Sequence, residues 1–443
     1  MSSVTASVVD TLRAVGTVLV PLVARGVIIR RPRVAAVGER LDADRRLVWT
    51  LQRLRARYGT GPLRLRLPLR RVVLVLSHED AHRVLDASPD PYATAVREKK
   101  AALGRFEPHG VLISDAADRP DRRRWNEAVL DTSAPLHHLA GPMAAVVREE
   151  ADALLAEVAG GDGVLDWPRF VASWFRIARR VTLGDAARDD TVLTDQLARL
   201  RGQANWVVGP VRPALRDAFL GRLRAHLERA EPGSLAAVAA SSPATPHTTA
   251  VEQVPQWLFA FDAAGISCFR ALALLSTHPR ELAAVRAELA DRDLDTPAML
   301  QTLRAALLEA VRLWPTTPAI LRETTTATEL GGRTLPSDTL VAIIAPLFHR
   351  DRERYTWADD FTPQLWAGAA GAASPRAALV PFSEGPAVCA GQNLVLFLTS
   401  TLLAALLRDH EVRVTSRPPI RPGRPLPGSL DPFHLRFSLT PRR

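Results

Sequence analysis

A chain of 443 residues that is 47% hydrophobic and 23% charged has the material for a large core, which excludes disordered and fibrous classes. Two cysteines exclude a disulfide framework and fit a reducing cytoplasm, the expected location. The net charge of +10 comes from arginines dispersed among apolar segments, with no basic run interleaved with aromatics, so the expected partner is an acidic protein rather than nucleic acid.

Residues 14–24 are uncharged, contain Pro21, and precede Arg25, Arg30, Arg31 and Arg33. The stretch is too short to span a bilayer. It is expected to pack on the body as part of an extension over residues 1–40, with weak contact to a membrane surface as the alternative. Residues 44–58 alternate apolar and basic positions at helical spacing. Residues 63–67 alternate with period two, Pro68 intervenes, and 72–76 are apolar, which reads as a β-hairpin. Ser77 is an expected N-cap for a helix from His78, with Asp80 in its first turn. Residues 103–114, with Phe106, Pro108, His109 and Gly110, read as a loop. Four arginines between 119 and 124 read as a solvated helix face. Residues 167–183 and 191–229 read as amphipathic helices, the second broken near Trp206, and 241–247 as a linker.

From Pro255 to Thr277 the charged residues are Asp262 and Arg270. Such a helix spans about 35 Å, long enough for a membrane. Its two charges, the Gly265 interruption and the lack of flanking aromatic belts point instead to a helix crossing a globular core. Mid-helix glycine costs about 1 kcal/mol against alanine, so Gly265 suggests a flat ligand lying against the backbone. Farther on, residues 300, 303, 307, 311 and 314 form an apolar helical stripe. Glu309 and Arg312 are neighbours on the other side, a buried pair suited to a structural lock, and Pro315 ends the helix. Gly331 and Gly332 mark a turn between strands.

The most informative stretch is Pro381-Phe382-Ser383-Glu384-Gly385-Pro386-Ala387-Val388-Cys389-Ala390-Gly391. It sets a cysteine in a glycine-flanked turn before a long apolar helix, where amide donors and a helix N-terminus favour a thiolate. A thiolate held so is a good axial ligand for haem iron. The pattern F-x-x-G-x-x-x-C-x-G resembles the haem-binding loop of the cytochrome P-450 superfamily. Glu309-Ala310-Val311-Arg312 is similar to that family's K-helix motif, and Ala264-Gly265-Ile266-Ser267-Cys268 to the oxygen-binding segment of its I helix, usually A-G-x-(D/E)-T.

The resemblance runs from about residue 45 to the end. It implies one mostly α domain over 41–443 with the cytochrome P-450 fold and a small β-sheet region. Haem b would be bound through Cys389 as the metal ligand, with Ala264, Phe382, Gly385 and Gly391 around it. Arg119 and Arg123 occupy the family's H-x-x-x-R positions for a haem propionate, and Arg322 matches the arginine of the second. Trp125 would pack near the haem edge. Gly265, Ser267 and Cys268 stand at the catalytic positions, but serine and cysteine replace the usual acid and threonine, which puts ordinary proton delivery in doubt. Leu365 and Ala387 replace two basic positions. Phe106, His109, Trp206, Phe261, Thr317, Ile320 and Leu430 are implied to line the substrate pocket.

The implied activity is oxidation of a small hydrophobic molecule in secondary metabolism, by hydroxylation, epoxidation or related tailoring. Dioxygen is the oxidant, and electrons pass from NAD(P)H through ferredoxin reductase and ferredoxin to a monomeric enzyme. The alternatives are a non-hydroxylating haem-thiolate enzyme (a peroxygenase, or a ring-coupling or rearranging enzyme) and a non-catalytic haem-binding scaffold.

Overall fold

The alternating and apolar runs at 63–67 and 72–76 pair as expected, Leu63 opposite Leu74 and Leu65 opposite Val72. A computed structural model describes residues 4–205, 212–367, 379–416 and 420–442. The strands are β1 (Val4–Thr5), β2 (Leu63–Leu65), β3 (Val72–Val75), β4 (Tyr92–Ala93), β5 (Val164–Asp166), β6 (Ala319–Thr324), β7 (Thr328–Leu330), β8 (Arg333–Leu335), β9 (Leu340–Ile344), β10 (His410–Val414) and β11 (Arg436–Pro441). Everything else regular is helical, so the class is mostly α.

Two units interleave along the chain. The first comprises Met1–Lys100, Val311–Cys389 and Pro425–Asp431; the second Ala101–Ala310, Ala390–Arg424 and Pro432–Arg443.

The first unit holds a six-stranded sheet in the order β1-β2-β3-β9-β6-β4. β9 is apolar throughout and wholly buried, as a central strand must be. β6 alternates, so Ile320, Arg322 and Thr324 share its buried face. β7 and β8 form a separate hairpin whose turn, Gly331-Gly332, takes positive φ at both residues (+55° and +70°), the geometry that glycine supplies without a steric penalty. Ser77 caps the helix His78–Asp86, its hydroxyl accepting from the Asp80 amide. Residues 8–24 run as one helix, with a wider π turn over Val15–Leu19, against the helix Ala43–Tyr58. The Thr17 hydroxyl donates to Thr50 (3.0 Å), the Tyr58 hydroxyl donates to Asp10 (2.7 Å), and Arg25 pairs with Asp44 (2.7 Å).

The second unit packs the helices Ala140–Gly160, Trp167–Leu183, Val254–Thr277 and Gln392–Arg408 together, beside the sheet β10-β11-β5. The stretch Ala250–Thr277 is long and apolar enough to cross a membrane, yet 72% of its apolar window is buried inside the protein. A helix apolar on all sides is stable in water only when surrounded in this way.

Candidate active site

In the first unit, the Cys389 loop is closed by its own backbone. Ser383 N–H donates to Val380 O (3.1 Å), Val388 N–H to Gly385 O (3.0 Å) and Cys389 N–H to Phe382 O (3.0 Å). Two residues adopt left-handed conformations, Ser383 (φ +65°) and Gly385 (φ +66°). A Cβ on Gly385 would lie 2.5 Å from Leu85 O, so the loop sits directly on the end of the helix His78–Asp86. His82 of that helix hydrogen-bonds the Glu384 carboxylate, which raises the imidazole pKa. Cys389 is partly buried and forms no disulfide. A thiol presented from a turn this tightly pinned is suited to ligate a metal through sulfur.

Arg322 reaches the same loop from the buried face of β6. Its Nε donates to Ser88 Oγ (2.7 Å), and its other nitrogens reach Leu321 O (3.1 Å) and Ser383 Oγ (3.4 Å). Arg312 acts as a lock on the segment between the strands and the loop. Fully buried, it donates to the carbonyls of His349 (3.0 Å), Ala358 (2.9 Å) and Asp360 (2.6 Å), and its guanidinium lies over Trp357. Burial beside Arg312 pushes the His349 pKa down to about 3, so that ring is neutral and its Nε2 accepts from Val380 N–H. Glu309, one turn earlier on the Arg312 helix, is also fully buried.

In the second unit, the middle of the long helix differs from expectation. The space over Gly265 belongs to Trp174, since a Cβ there would lie 2.7 Å from the indole Cδ1. The Trp174 indole N–H donates to Phe261 O (2.6 Å), which holds the ring in place. Helix packing therefore accounts for the glycine on the side its Cβ would occupy. The Ser267 hydroxyl donates back to Ala263 O (2.9 Å). The Cys268 sulfur lies 3.9 Å from Thr399 O on the neighbouring helix, and burial pushes its thiol pKa far up. Neither group is poised as an acid near neutral pH. Ala264 is buried on the same helix.

Of the arginines on the helix Arg119–Val129, Arg119 is buried and its Nε has no hydrogen-bond partner. Burial, and then the neighbouring Arg123, lower its pKa. Arg123 pairs with Glu127 (2.5 Å). Trp125 is fully buried, stacks on Trp257 (5.5 Å between centroids), and leaves its indole N–H without a partner. The buried Arg119 Nε and Trp125 indole N–H, each without a hydrogen-bond acceptor, fit an anionic group such as a propionate. In the first unit, taken by itself, the pinned cysteine turn offers a sulfur donor of the kind that haem iron takes.

Among the pocket residues, Phe106, Phe261, Ile320 and Leu430 are buried. His109 and Thr317 are exposed. The His109 backbone is tied to the helix start, its N–H donating to Glu252 (3.1 Å) and its carbonyl accepting from Gln253 (2.8 Å). Trp206 lies outside the described residues. Three residues escaped the sequence reading. Gln253 joins the 106–114 loop to the long helix, also accepting from Val111 N–H (3.0 Å) and Asn126 (3.2 Å). His82 seats the cysteine loop. Glu107 is fully buried with neither carboxyl oxygen hydrogen-bonded, and burial raises its pKa well above the usual carboxylate range. Its setting between Phe106 and Pro108 was the available signal.

The arrangement matches a known class. At 20% identity the chain superposes on the crystal structure of a cytochrome P450, CYP102L1, with a TM-score of 0.72 over 89% of this chain and 94% of that one. A zebra fish cytochrome P450 solved with abiraterone gives 0.71 at 18% identity, covering 89% and 99%. The fold is thus the cytochrome P450 fold. Residues 261–430 match the family model "Cytochrome P450". Cyclooctat-9-en-7-ol 5-monooxygenase of Streptomyces melanosporofaciens is 33% identical over 32% of this chain and 32% of its own length. Cytochrome P450 714C3 of Oryza sativa subsp. japonica is 32% identical over 33% and 30%. Over residues 261–430 the chain is similar to the cytochrome P450 family, and the matched segments span about a third of the length of these curated relatives.

Proposed function

We propose that the protein is a haem-thiolate monooxygenase that oxidises a small hydrophobic molecule in secondary metabolism. It works in the cytoplasm as a monomer, with residues 41–443 as the catalytic domain and 1–40 as an extension. Electrons come from NAD(P)H through ferredoxin reductase and a ferredoxin docking on the basic surface. The observation that carries the reading is the Cys389 loop, closed on itself and seated on the helix His78–Asp86 through Gly385. The Streptomyces relative, named as a monooxygenase of cyclooctat-9-en-7-ol, supports an apolar, sparsely oxygenated substrate.

Haem b, when bound, supplies the activation of dioxygen and the transfer of oxygen. Cys389 ligates the iron as thiolate, and the rigid turn holds that sulfur in place. Arg119, Arg123 and Arg322 would take the propionates, Arg119 with an Nε that has no hydrogen-bond partner of its own. Buried Phe106, Phe261, Ile320 and Leu430 keep the surroundings of the substrate dry. The ferrous carbonyl complex should show the red-shifted Soret band of thiolate ligation, and Cys389→Ala should lose it. An unshifted band in folded, freshly reduced wild type defeats the reading.

The committed geometry of Ser267 and Cys268 favours a second reading, a haem-thiolate enzyme that does not hydroxylate. Turnover with peroxide alone, or product lacking added oxygen, selects it; turnover only with reduced ferredoxin and dioxygen selects the first. The same assay disposes of a non-catalytic scaffold.

A further inference from the structure

In the second unit, the chain between the helices Arg119–Val129 and Ala140–Gly160 gathers three metal-binding side chains, Asp131, His137 and His138. Their ligand atoms all lie within 4.8 Å of one another. Among the described residues, no other three histidine, cysteine or acidic side chains converge so closely. None of the three belongs to the haem-binding motifs.

Backbone conformation sets the carboxylate. Asp131 stands just past the first helix in a left-handed conformation, φ +46°, which turns the chain back on itself. Its Oδ2 lies 2.6 Å from His138 Nδ1 and 3.7 Å from His137 Nδ1. With zinc–ligand bonds of about 2.0–2.1 Å, the ligand atoms of a tetrahedral site stand about 3.3 Å apart. The observed spacings straddle that value. The two imidazoles stack, with centroids 4.5 Å apart and planes 25° from parallel.

His137 is set up as a ligand. It is buried, and its Nε2 hydrogen-bonds Val129 O (3.0 Å), which fixes the proton on Nε2 and leaves the Nδ1 lone pair basic. That lone pair accepts from Leu139 N–H (3.0 Å), the amide just before the second helix. Leu139 is half-buried, so water can take over its amide when a metal takes the lone pair. His138 donates from Nδ1 to Asp131, and its ring is 55% exposed. On metal binding that proton passes to Nε2 or to solvent. The loop is also held from outside the cluster. Thr132 Oγ1 donates to Ala390 O (2.9 Å), Asn393 to Ala134 O (2.9 Å) and Arg304 to Pro135 O (3.0 Å). A loop already ordered pays little on binding. Two imidazoles and one carboxylate suit a borderline cation better than magnesium or calcium, which take oxygen. The exposed side at His138 leaves a fourth position to water.

We propose that Asp131, His137 and His138 form a three-ligand zinc site that clasps the loop joining the two helices. The site is independent of haem ligation. The test is calorimetric titration of the haem-loaded full chain with zinc chloride, followed by X-ray absorption at the zinc edge. One zinc should bind per chain, with nitrogen and oxygen at about 2.0–2.1 Å and no sulfur at about 2.3 Å. Zinc should also raise the melting temperature of the wild type. His138→Ala and Asp131→Asn should each weaken binding by at least the roughly 10–100-fold that loss of a ligand's supporting partner costs. His138 is exposed and asparagine tolerates the left-handed backbone, so both metal-free variants should keep the wild-type carbonyl spectrum. His247→Ala removes an exposed histidine outside the cluster and should leave zinc binding unchanged. No zinc uptake, a sulfur shell, or binding that His138→Ala and Asp131→Asn leave intact overturns the proposal. So does weakening by His247→Ala to the same degree.

Discussion

Both motif segments set a glycine near a cysteine, yet the two glycines have different physical causes. In the Cys389 loop, Gly385 is required by backbone: φ is +66° and the nearest neighbour is the Leu85 carbonyl. In the long helix, Gly265 is required by a side chain, since the Trp174 indole fills the place of its Cβ. Around the loop, backbone hydrogen bonds pin the turn that carries the cysteine. Around Gly265, the hydroxyl and thiol are turned to helix carbonyls. A motif is therefore weak evidence of role until its neighbours are known.

The largest test is Gly385→Ala. A Cβ forced against backbone at positive φ cannot be relieved by a rotamer, so a cost of about 3 kcal/mol or more is expected, with haem retention lost alongside. Melting temperature and haem content measure it; an unaltered haem-loaded protein would show that the loop is not rigidly seated. Gly265→Ala meets an indole, which can shift. A loss of about 1–3 kcal/mol is expected, with the carbonyl spectrum preserved. A spectral change without loss of stability would return Gly265 to the ligand.

Glu107 supplies a pH test beside the long helix, near Arg201, which pairs with Asp262 (2.8 Å). Its folded pKa is raised above the model-compound value of 4.5. Its contribution is intact below that value and is lost as pH rises through the folded pKa. Glu107→Gln should therefore be relatively more stable than wild type at neutral and alkaline pH, the advantage vanishing in acid. Parallel stability–pH curves for the two would mean that Glu107 is solvated or paired.

Cys268→Thr should be the smallest effect, below about 1 kcal/mol, since the Thr399 carbonyl is at hand for a new hydroxyl. Product formed per NAD(P)H consumed should also barely move. A clear rise in coupling would show that this side chain reaches the oxygen chemistry, restoring the role that the resemblance implies.

Much of the fold was legible along the chain. The hairpin of β2 and β3, the Ser77 cap, the helices Ala43–Tyr58 and Trp167–Leu183, the long helix and the two-glycine turn between β7 and β8 all follow from periodicity and backbone chemistry acting over a few residues. The cysteine loop was equally legible, because its glycine and closing hydrogen bonds are local. Arg312 was legible as a buried lock, though not its acceptors, which lie 37–48 residues onward.

What only the tertiary structure decided is which distant group meets each side chain. Trp174 over Gly265, Thr399 beside Cys268 and His82 on Glu384 are pairings between segments far apart in the chain. So too is the exposure of His109 and Thr317, and the enclosure of Glu107 without a partner. Backbone propensity and hydrophobic period are properties of a segment and can be read from it. Burial and hydrogen-bond partnership depend on which other segments arrive, and that is settled only when the chain has packed.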